Sequence, residues 1–457
     1  MIFVCIMWML GDDGVLKAPA MSRLELLQQQ ALHHNRAFDI LESLTVEVGP
    51  RMAGTSHDLR GVQWAKHKFE ELGFDEVWLE QAQYPSWIRG EATCEIVDPF
   101  PQPLAVTALG TSVATLDDGV TAQVVSFENL DALKSADPLE VSGKIVFINQ
   151  AMERSNTGRG YGKAVVVRRS GASEAARKGA LAVLIRSIGT DSHRFPHTGL
   201  QRYDEDTEQI PAAALSNPDA NQLQLALKRG PVTLRLFLSA RKGPMFSSFN
   251  VIGEIKGREV PEELVLLGAH LDSWDLGTGA LDDGAGVAIV TEVGRLISNM
   301  RERPRRTIRV VLFANEEQGL WGAKAYAAQH ESELNRHMIA AESDFGAGPV
   351  WHFTTAVREK ALPFMHQVAE ALKPLGVDMG DNNSYGGPDL RPMMELGLPV
   401  VSLIQDGTDY FDYHHTADDT LDKVDPKALS QSVAAFATFA YMCAETDVTF
   451  SDEHIHE

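Results

Sequence analysis

LVLLGA at Leu264–Ala269 is an unbroken apolar run that ends on His270-Leu271-Asp272. A strand with water on one face alternates apolar and polar residues. A run without alternation belongs to a strand covered on both faces, as in a parallel sheet between two helix layers. The pattern recurs further along. A helix from about Ala285 carries Val287, Val290, Val293 and Ile297 on one face, and IRVVLF at Ile308–Phe313 is the next strand. A helix through Trp321 and Ala325 follows, then the strands HMIAAE, VWHF and PVVSLI. Asp425-Pro426 supplies an N-cap and a first-turn proline for a long last helix. This alternation predicts an α/β fold whose mostly parallel sheet is flanked by helices on both faces.

On the N-terminal side, residues 22–45 hold Leu24, Leu27, Phe38, Leu41 and Leu44 at helical spacing. A turn-rich stretch at Gly49–Thr55 leads to a helix around Val62–Leu72 and a strand near Val77–Glu80. Pro85, Pro99, Pro101 and Pro103 then mark a boundary. Between residues 90 and 246 the character changes. Short β-rich runs (Ala122–Phe127, Lys144–Ile148, Leu181–Ile185, Val232–Leu238) alternate with loops, and one helix, SGASEAARKGA, enters the strand LAVLIR. The expected organisation is a discontinuous domain over 22–89 and 247–450, a β-rich insertion at 90–246, and an N-terminal extension at 1–21.

That extension opens with MIFVCIMWML, which is too short to span a bilayer and has no basic residue before it. Ala18-Pro19-Ala20 resembles a leader cleavage site, whereas Met21 serves equally well as a start. The missing basic residues favour no export signal, hence the cytoplasm; a leader would make the protein secreted or periplasmic. Acidic residues outnumber basic ones by 63 to 41, a formal net charge of -22. Such a surface repels phosphate backbones and anionic lipid, so nucleic acid and membrane are not expected partners. Cys5, Cys94 and Cys443 lie far apart and form no thiolate metal motif, so any metal must be held by His, Asp and Glu.

Ligands of open parallel sheets bind beyond the carboxyl ends of the strands. His270 and Asp272 follow the first strand on one side of an extended segment, where the acid can orient the imidazole. Asp282-Asp283, set among glycines before a helix, reads either as a capped tight turn or as a carboxylate placed between two cations. Glu316-Glu317 follow IRVVLF; one Glu can bind a metal while its neighbour moves a proton. Asp344 follows HMIAAE, and His414-His415-Thr416 lie beyond PVVSLI. Two imidazoles and three acids would thus meet at one sheet edge, and burying that much negative charge demands cations. Nitrogen and oxygen ligands without sulfur suit zinc, with manganese or cobalt able to substitute.

At these residues the chain resembles the M28 family of metallopeptidases. The likeness runs from roughly residue 40 to 445 and includes SFNVIGEIKG, GAHLDSWDLGTGALDDGAG, NEEQG at Asn315–Gly319, ESDFG and YHHTADDT. VGPRMAG, WIRGE at Trp87–Glu91, GALAVLIRS and PHTG at Pro196–Gly199 add to it. The resemblance implies two zinc ions, one on His270 and Asp344, the other on Glu317 and His415, with Asp282 bridging. It implies Glu316 as general acid and base, Asp272 as the partner of His270, and a cis peptide bond between Asp282 and Asp283. His415 heads the HTxxDT pattern; His414 would polarise the substrate carbonyl or shape the pocket. Residues 90–246 would be the inserted protease-associated domain, acting as a lid or dimer surface or as a passive insertion.

Dipeptides with unblocked N-termini and a homodimer are further implications of the resemblance. Ser384–Asp389 departs from the family pattern and is expected to line the cleft. Tyr385 and Asp389 are its candidate substrate contacts, Asp389 either holding the free amine or serving the scaffold. An aminopeptidase acting on longer peptides is the alternative, and a receptor-like member without activity is the rival from another class.

Overall fold

The computed structural model describes residues 22–451, together with the backbone of the paired strands Met9–Leu10 and Leu16–Lys17. The leader question raised by residues 1–21 lies outside the described side chains. Two eight-stranded sheets organise the chain. The first contains β1 (Glu76–Ile88), β2 (Arg241–Ile255), β3 (Val260–His270), β4 (Arg306–Phe313), β5 (His337–Glu342), β6 (Val350–Ala356), β7 (Asp378–Met379) and β8 (Val400–Gln405). Their spatial order is β7-β6-β8-β5-β3-β4-β2-β1.

The centre of this sheet, β8-β5-β3-β4, is parallel. The flanks are not: β6 runs antiparallel to β8, β2 to β4, and β1 to β2. The sheet is therefore mixed, with four parallel pairings, β6–β7 among them, and three antiparallel ones. The reason lies in the connections. Residues 343–349 and 256–259 are too short for the crossover that a parallel return requires, so β6 and β3 start at the edge where β5 and β2 finish.

From Leu264 to His270 every residue of β3 is buried, and its period of two splits the side chains between two cores. Val265, Leu267 and Ala269 pack with the helices Ala285–Ser298 and Pro426–Glu445. Leu266 faces the other way, onto Ala323 and Tyr326 of the helix Trp321–His330. The sheet thus carries helices on both faces, the condition the apolar run demanded. Among the described residues no helix is long and apolar enough to cross a membrane.

Several local expectations change. The helical stretch near the N-terminus breaks into Arg23–His33 and Ala37–Ser43. Asn35 sits at the break, where its side chain donates to the Ala31 carbonyl (2.7 Å) and accepts from the Ala37 N–H (3.0 Å). Pro85 lies inside β1 rather than at a boundary, and the outermost strand of a sheet tolerates it.

The second sheet draws its strands from residues 92–238. Its centre, Val120–Phe127, Ile145–Ile148, Ala182–Arg186 and Ala212–Leu215, is parallel. Helices Arg159–Ala176 and Asn217–Leu227 flank these strands, so this unit is α/β rather than simply β-rich. Arg241–Phe246, read from sequence as part of the insertion, pair with β1 in the first sheet.

Close packing sets the tolerance of individual positions. A Cβ on Gly294 would come within 2.2 Å of Phe74, whose ring stacks on Phe69 at 4.3 Å. Gly162, also helical, has nothing within 4 Å of such a Cβ. Gly294→Val is expected to lower unfolding stability by about 1–3 kcal/mol through overpacking. Gly162→Ala should be neutral or stabilising by up to about 1 kcal/mol; denaturant titration of both variants checks the contrast.

Candidate metal centre and active site

Because β3, β4, β5 and β8 run parallel, their carboxyl ends share one edge, and the polar residues that follow each strand converge there. His270 ends β3, Glu316-Glu317 follow β4, Asp344 follows β5, and His414-His415 lie in the segment after β8. Asp282 reaches the same point from the loop before Ala285–Ser298.

Asp282 is the hub. Its Oδ1 lies 3.1 Å from Nε2 of His270, which is itself 3.5 Å from Oδ1 of Asp344. Its Oδ2 lies 3.2 Å from Nε2 of His415, which is 3.0 Å from Oε2 of Glu317. The two oxygens of one carboxylate therefore face two separate imidazole–acid pairs. His414 adds a third ring, with Nε2 3.5 Å from Asp282 Oδ2, and it stacks on His415 with centroids 3.5 Å apart. Ligating atoms of His270, Asp282 and Asp344, and likewise of Asp282, His414 and His415, lie close enough to share an ion.

The hydrogen bonds around the rings decide their tautomers. Nδ1 of His270 lies 3.0 Å from the Asp272 carbonyl, and Nδ1 of His415 lies 3.2 Å from the Thr198 carbonyl. A carbonyl only accepts, so Nδ1 carries the proton in each ring and the Nε2 lone pairs point at carboxylates. Lone pair against carboxylate is repulsive unless a proton or a cation lies between. Oε1 of Glu317 is buried with no hydrogen-bond partner, which adds to the unmet demand. These donors and their buried, largely acidic setting fit divalent cations.

Electrostatics point the same way. Burial raises the Asp344 and Glu317 carboxyls above their ordinary range, and burial together with the charges of Asp344 and Glu317 raises Glu316 well above it. His270 is pushed well up: burial opposes its charge, but hydrogen bonding to Asp272, Asp282 and Asp344 outweighs it. Burial likewise acts to raise Asp282, yet His270 and His415 hold it well below. The cluster takes up protons where cations would otherwise compensate it.

The scaffold behind the cluster adds backbone contacts to those the sequence suggested. The Asp272 carboxylate pairs with the His270 ring, its Oδ1 3.6 Å from Nδ1, and the same oxygen accepts the Glu316 N–H at 3.0 Å, while the Asp272 backbone carbonyl lies 3.0 Å from the ring. Asp283 accepts the backbone N–H groups of His270 (3.0 Å) and Gly286 (3.1 Å), and the Asp282–Asp283 peptide bond is cis. Asp389 is fully buried, both carboxylate oxygens lack partners, and it does not line the cleft. Tyr385 is exposed and does line it.

Other residues lie in motifs that the sequence singled out without giving them a role, PHTG apart, a candidate contact at the cleft. Arg51, fully buried, donates to the carbonyls of Leu271 (2.5 Å), Thr278 (2.7 Å) and Gly279 (2.9 Å), tying down the loop that carries Asp282. Asp419 accepts the N–H groups of Leu281 and Asp282. From the second unit, PHTG clamps the imidazole pair. His197 Nδ1 lies 2.6 Å from the His414 carbonyl, and the Thr198 N–H donates to the His415 carbonyl at 3.0 Å. His415 sits at φ +62, a backbone geometry that needs such bracing in a non-glycine residue. The cleft above the cluster, about 510 Å³, is walled by both units, with Tyr161, Arg168 and Leu200 facing Tyr385 and Gly386.

Known proteins resemble this chain in sequence and fold. The profile of peptidase family M28 matches residues 250–440. Carboxypeptidase Q of Mus musculus is 36% identical over 416 residues, which cover 91% of this chain and 87% of that protein. The crystal structure of a peptidase M28 precursor from Shewanella amazonensis SB2B superposes with a TM-score of 0.92 at 50% identity, covering 93% of this chain and 97% of that one. A zinc aminopeptidase from Bacillus subtilis shares the fold, with a TM-score of 0.66 at 20% identity over 90% of this chain and 95% of that one. The likeness in motifs is thus a likeness along nearly the whole chain, and the protein belongs to peptidase family M28, a family of metallopeptidases.

Proposed function

We propose that the chain is a co-catalytic two-zinc exopeptidase that cleaves dipeptides or short peptides with a free N-terminus. The observation that carries this is the division of Asp282, whose two oxygens face separate imidazole–acid pairs at 3.1 and 3.2 Å. On this reading His270 and Asp344 hold one ion, Glu317 and His415 the other, and Asp282 serves both. Glu317 is chosen over His414 because its Oε2 lies 3.0 Å from the His415 ring nitrogen that faces Asp282, while its Oε1 is buried and unpartnered. Bound zinc would supply a Lewis acid for the scissile carbonyl and lower the pKa of the attacking water.

The chain's own groups do the rest. Glu316 accepts the water proton and returns it to the departing amine, its backbone fixed by the Asp272 carboxylate. The neutral His414 ring is placed to donate to the oxyanion. Asp272 fixes Glu316 and, through its carbonyl, the His270 ring. Tyr385 contributes to the cleft wall, and Asp389, fully enclosed, belongs to the scaffold. The unit over residues 92–238 is the inserted protease-associated domain, whose Thr198 orients His415 and whose helix Arg159–Ala176 closes one side of the cleft. An aminopeptidase on longer peptides is the second reading, favoured by a cleft that opens to solvent beside Tyr385.

Glu316→Gln is expected to retain bound metal and thermal stability while kcat on a dipeptide falls by about 10²–10⁴. Retention of near wild-type kcat would remove Glu316 from the proton transfer. Elemental analysis of protein dialysed against zinc should give about two ions per chain, and Asp282→Asn should reduce this to about one or fewer. A strong chelator should abolish hydrolysis reversibly, and an Asp282→Asn protein that still binds two ions would overturn the bridging assignment.

A further inference from the structure

Residues 406–416 carry His414 and His415 and follow β8 of the first sheet. Their hydrogen bonds nonetheless reach into the second unit along the whole segment. The Gly407 N–H donates to the Asn156 carbonyl (2.9 Å), the Thr190 N–H donates to the Phe411 carbonyl (3.1 Å), and the Thr190 hydroxyl donates to Asp412 (2.7 Å). His270 differs: Asp283 accepts its N–H and the Asp272 carbonyl faces its ring, both within the first unit.

The innermost of these ties is His197. Its ring is buried, with Nδ1 2.6 Å from the His414 carbonyl and Nε2 2.8 Å from Oδ1 of Asp191, whose side chain is fully enclosed. Burial opposes the charge of Asp191, but the bond and charge of His197, the Asn217 amide and the His193 N–H outweigh it and hold the carboxyl below its ordinary range. A carbonyl and a carboxylate both accept, so the ring donates from both nitrogens. Such charge-assisted bonds are stronger than neutral ones. The Ser187 hydroxyl accepts the His197 N–H at 2.8 Å, and a Cβ on Gly189 would lie 2.2 Å from the ring, so backbone and ring are both fixed.

The His414 carbonyl belongs to the peptide that enters His415. That residue sits at φ +62, a conformation that a non-glycine residue keeps only where its neighbours hold it. His197 grips the peptide immediately before it.

We propose that Asp191 and His197 are positioning residues for the ion on the His415 side, so that the second unit sets the affinity of one metal ion and not of the other. This rests on the two-zinc reading above. His197 does not touch the ion. It holds the His414–His415 peptide, and that peptide aims Nε2 of His415 at Asp282 and Glu317. Asp191 acts one step further back, fixing the ring of His197.

The test measures zinc affinities by competition with a chromophoric chelator on the full chain, for wild type, His415→Ala, His197→Leu, His197→Asn and Asp191→Asn. The ion that His415→Ala loses is the ion concerned. His197→Leu should weaken that ion by about 10–100-fold and leave the other unchanged. Asparagine is close to leucine in size and keeps a donor near the position of Nδ1, so His197→Asn should recover most of the affinity, with Asp191→Asn in between. Equal weakening of both ions marks a merely structural role, and unchanged affinities remove the pair from the site; either result overturns the positioning role. Should melting of the metal-free protein show that His197→Leu does not fold, the Asp191→Asn affinities decide by the same criteria. A wild type that binds a single ion defeats the two-zinc reading but not the positioning role. A loss of about 10–100-fold for that ion in His197→Leu, recovered in His197→Asn, then supports the role, and no loss overturns it. A wild type that binds no zinc overturns both.

Discussion

One carboxylate organises the polar edge of this protein's first sheet. Asp282 is buried, and its two oxygens are addressed by different imidazoles, each accompanied by its own acid. Negative charge at that density is tolerable inside a protein only with compensation, whether by protons or by divalent ions. The surrounding structure reads as a means of holding that arrangement against its own repulsion. Asp419 grips the backbone of Leu281 and Asp282, Asp283 grips that of His270, and Arg51 ties together the carbonyls of the intervening loop. Most of these bonds involve main-chain groups, so the ligand side chains remain free to face one another.

The second unit is part of the same construction. Without the Thr198 carbonyl, His415 Nδ1 would lose its acceptor and the ring its fixed tautomer; without the His197 contact, the His414–His415 backbone would lose its outer support. Residues more than two hundred positions apart in sequence thus complete one site. The same unit contributes Tyr161, Arg168 and Leu200 to the cleft lining, across which lie residues that follow the strands of the first sheet.

Much of this was legible in the chain. Val265, Leu266 and Leu267 announced a strand buried on both faces, and the structure distributes them between two cores. His270, Glu317, Asp344 and His415 stood out because each follows such a run. Strand direction was less legible. VWHF looks like any other strand, and it runs antiparallel because the loop before it is too short to recross the sheet. Alternation also placed the Asp272 carboxylate beside the His270 ring, but not the backbone carbonyl of the same residue, which approaches the ring more closely.

By itself, the sequence determined which chemistry the protein carries, because burial is written in local periodicity and ligating side chains are written at the points where that periodicity stops. It identified the acids and imidazoles, excluded thiolate ligation and located the sheet edge where they gather. Only the tertiary structure decided how Asp282 divides its oxygens and which backbone groups bind Arg51 and Thr198 around the site. These depend on segments distant in sequence meeting at ångström distances, and on backbone groups that every residue possesses, so no residue type could have signalled them.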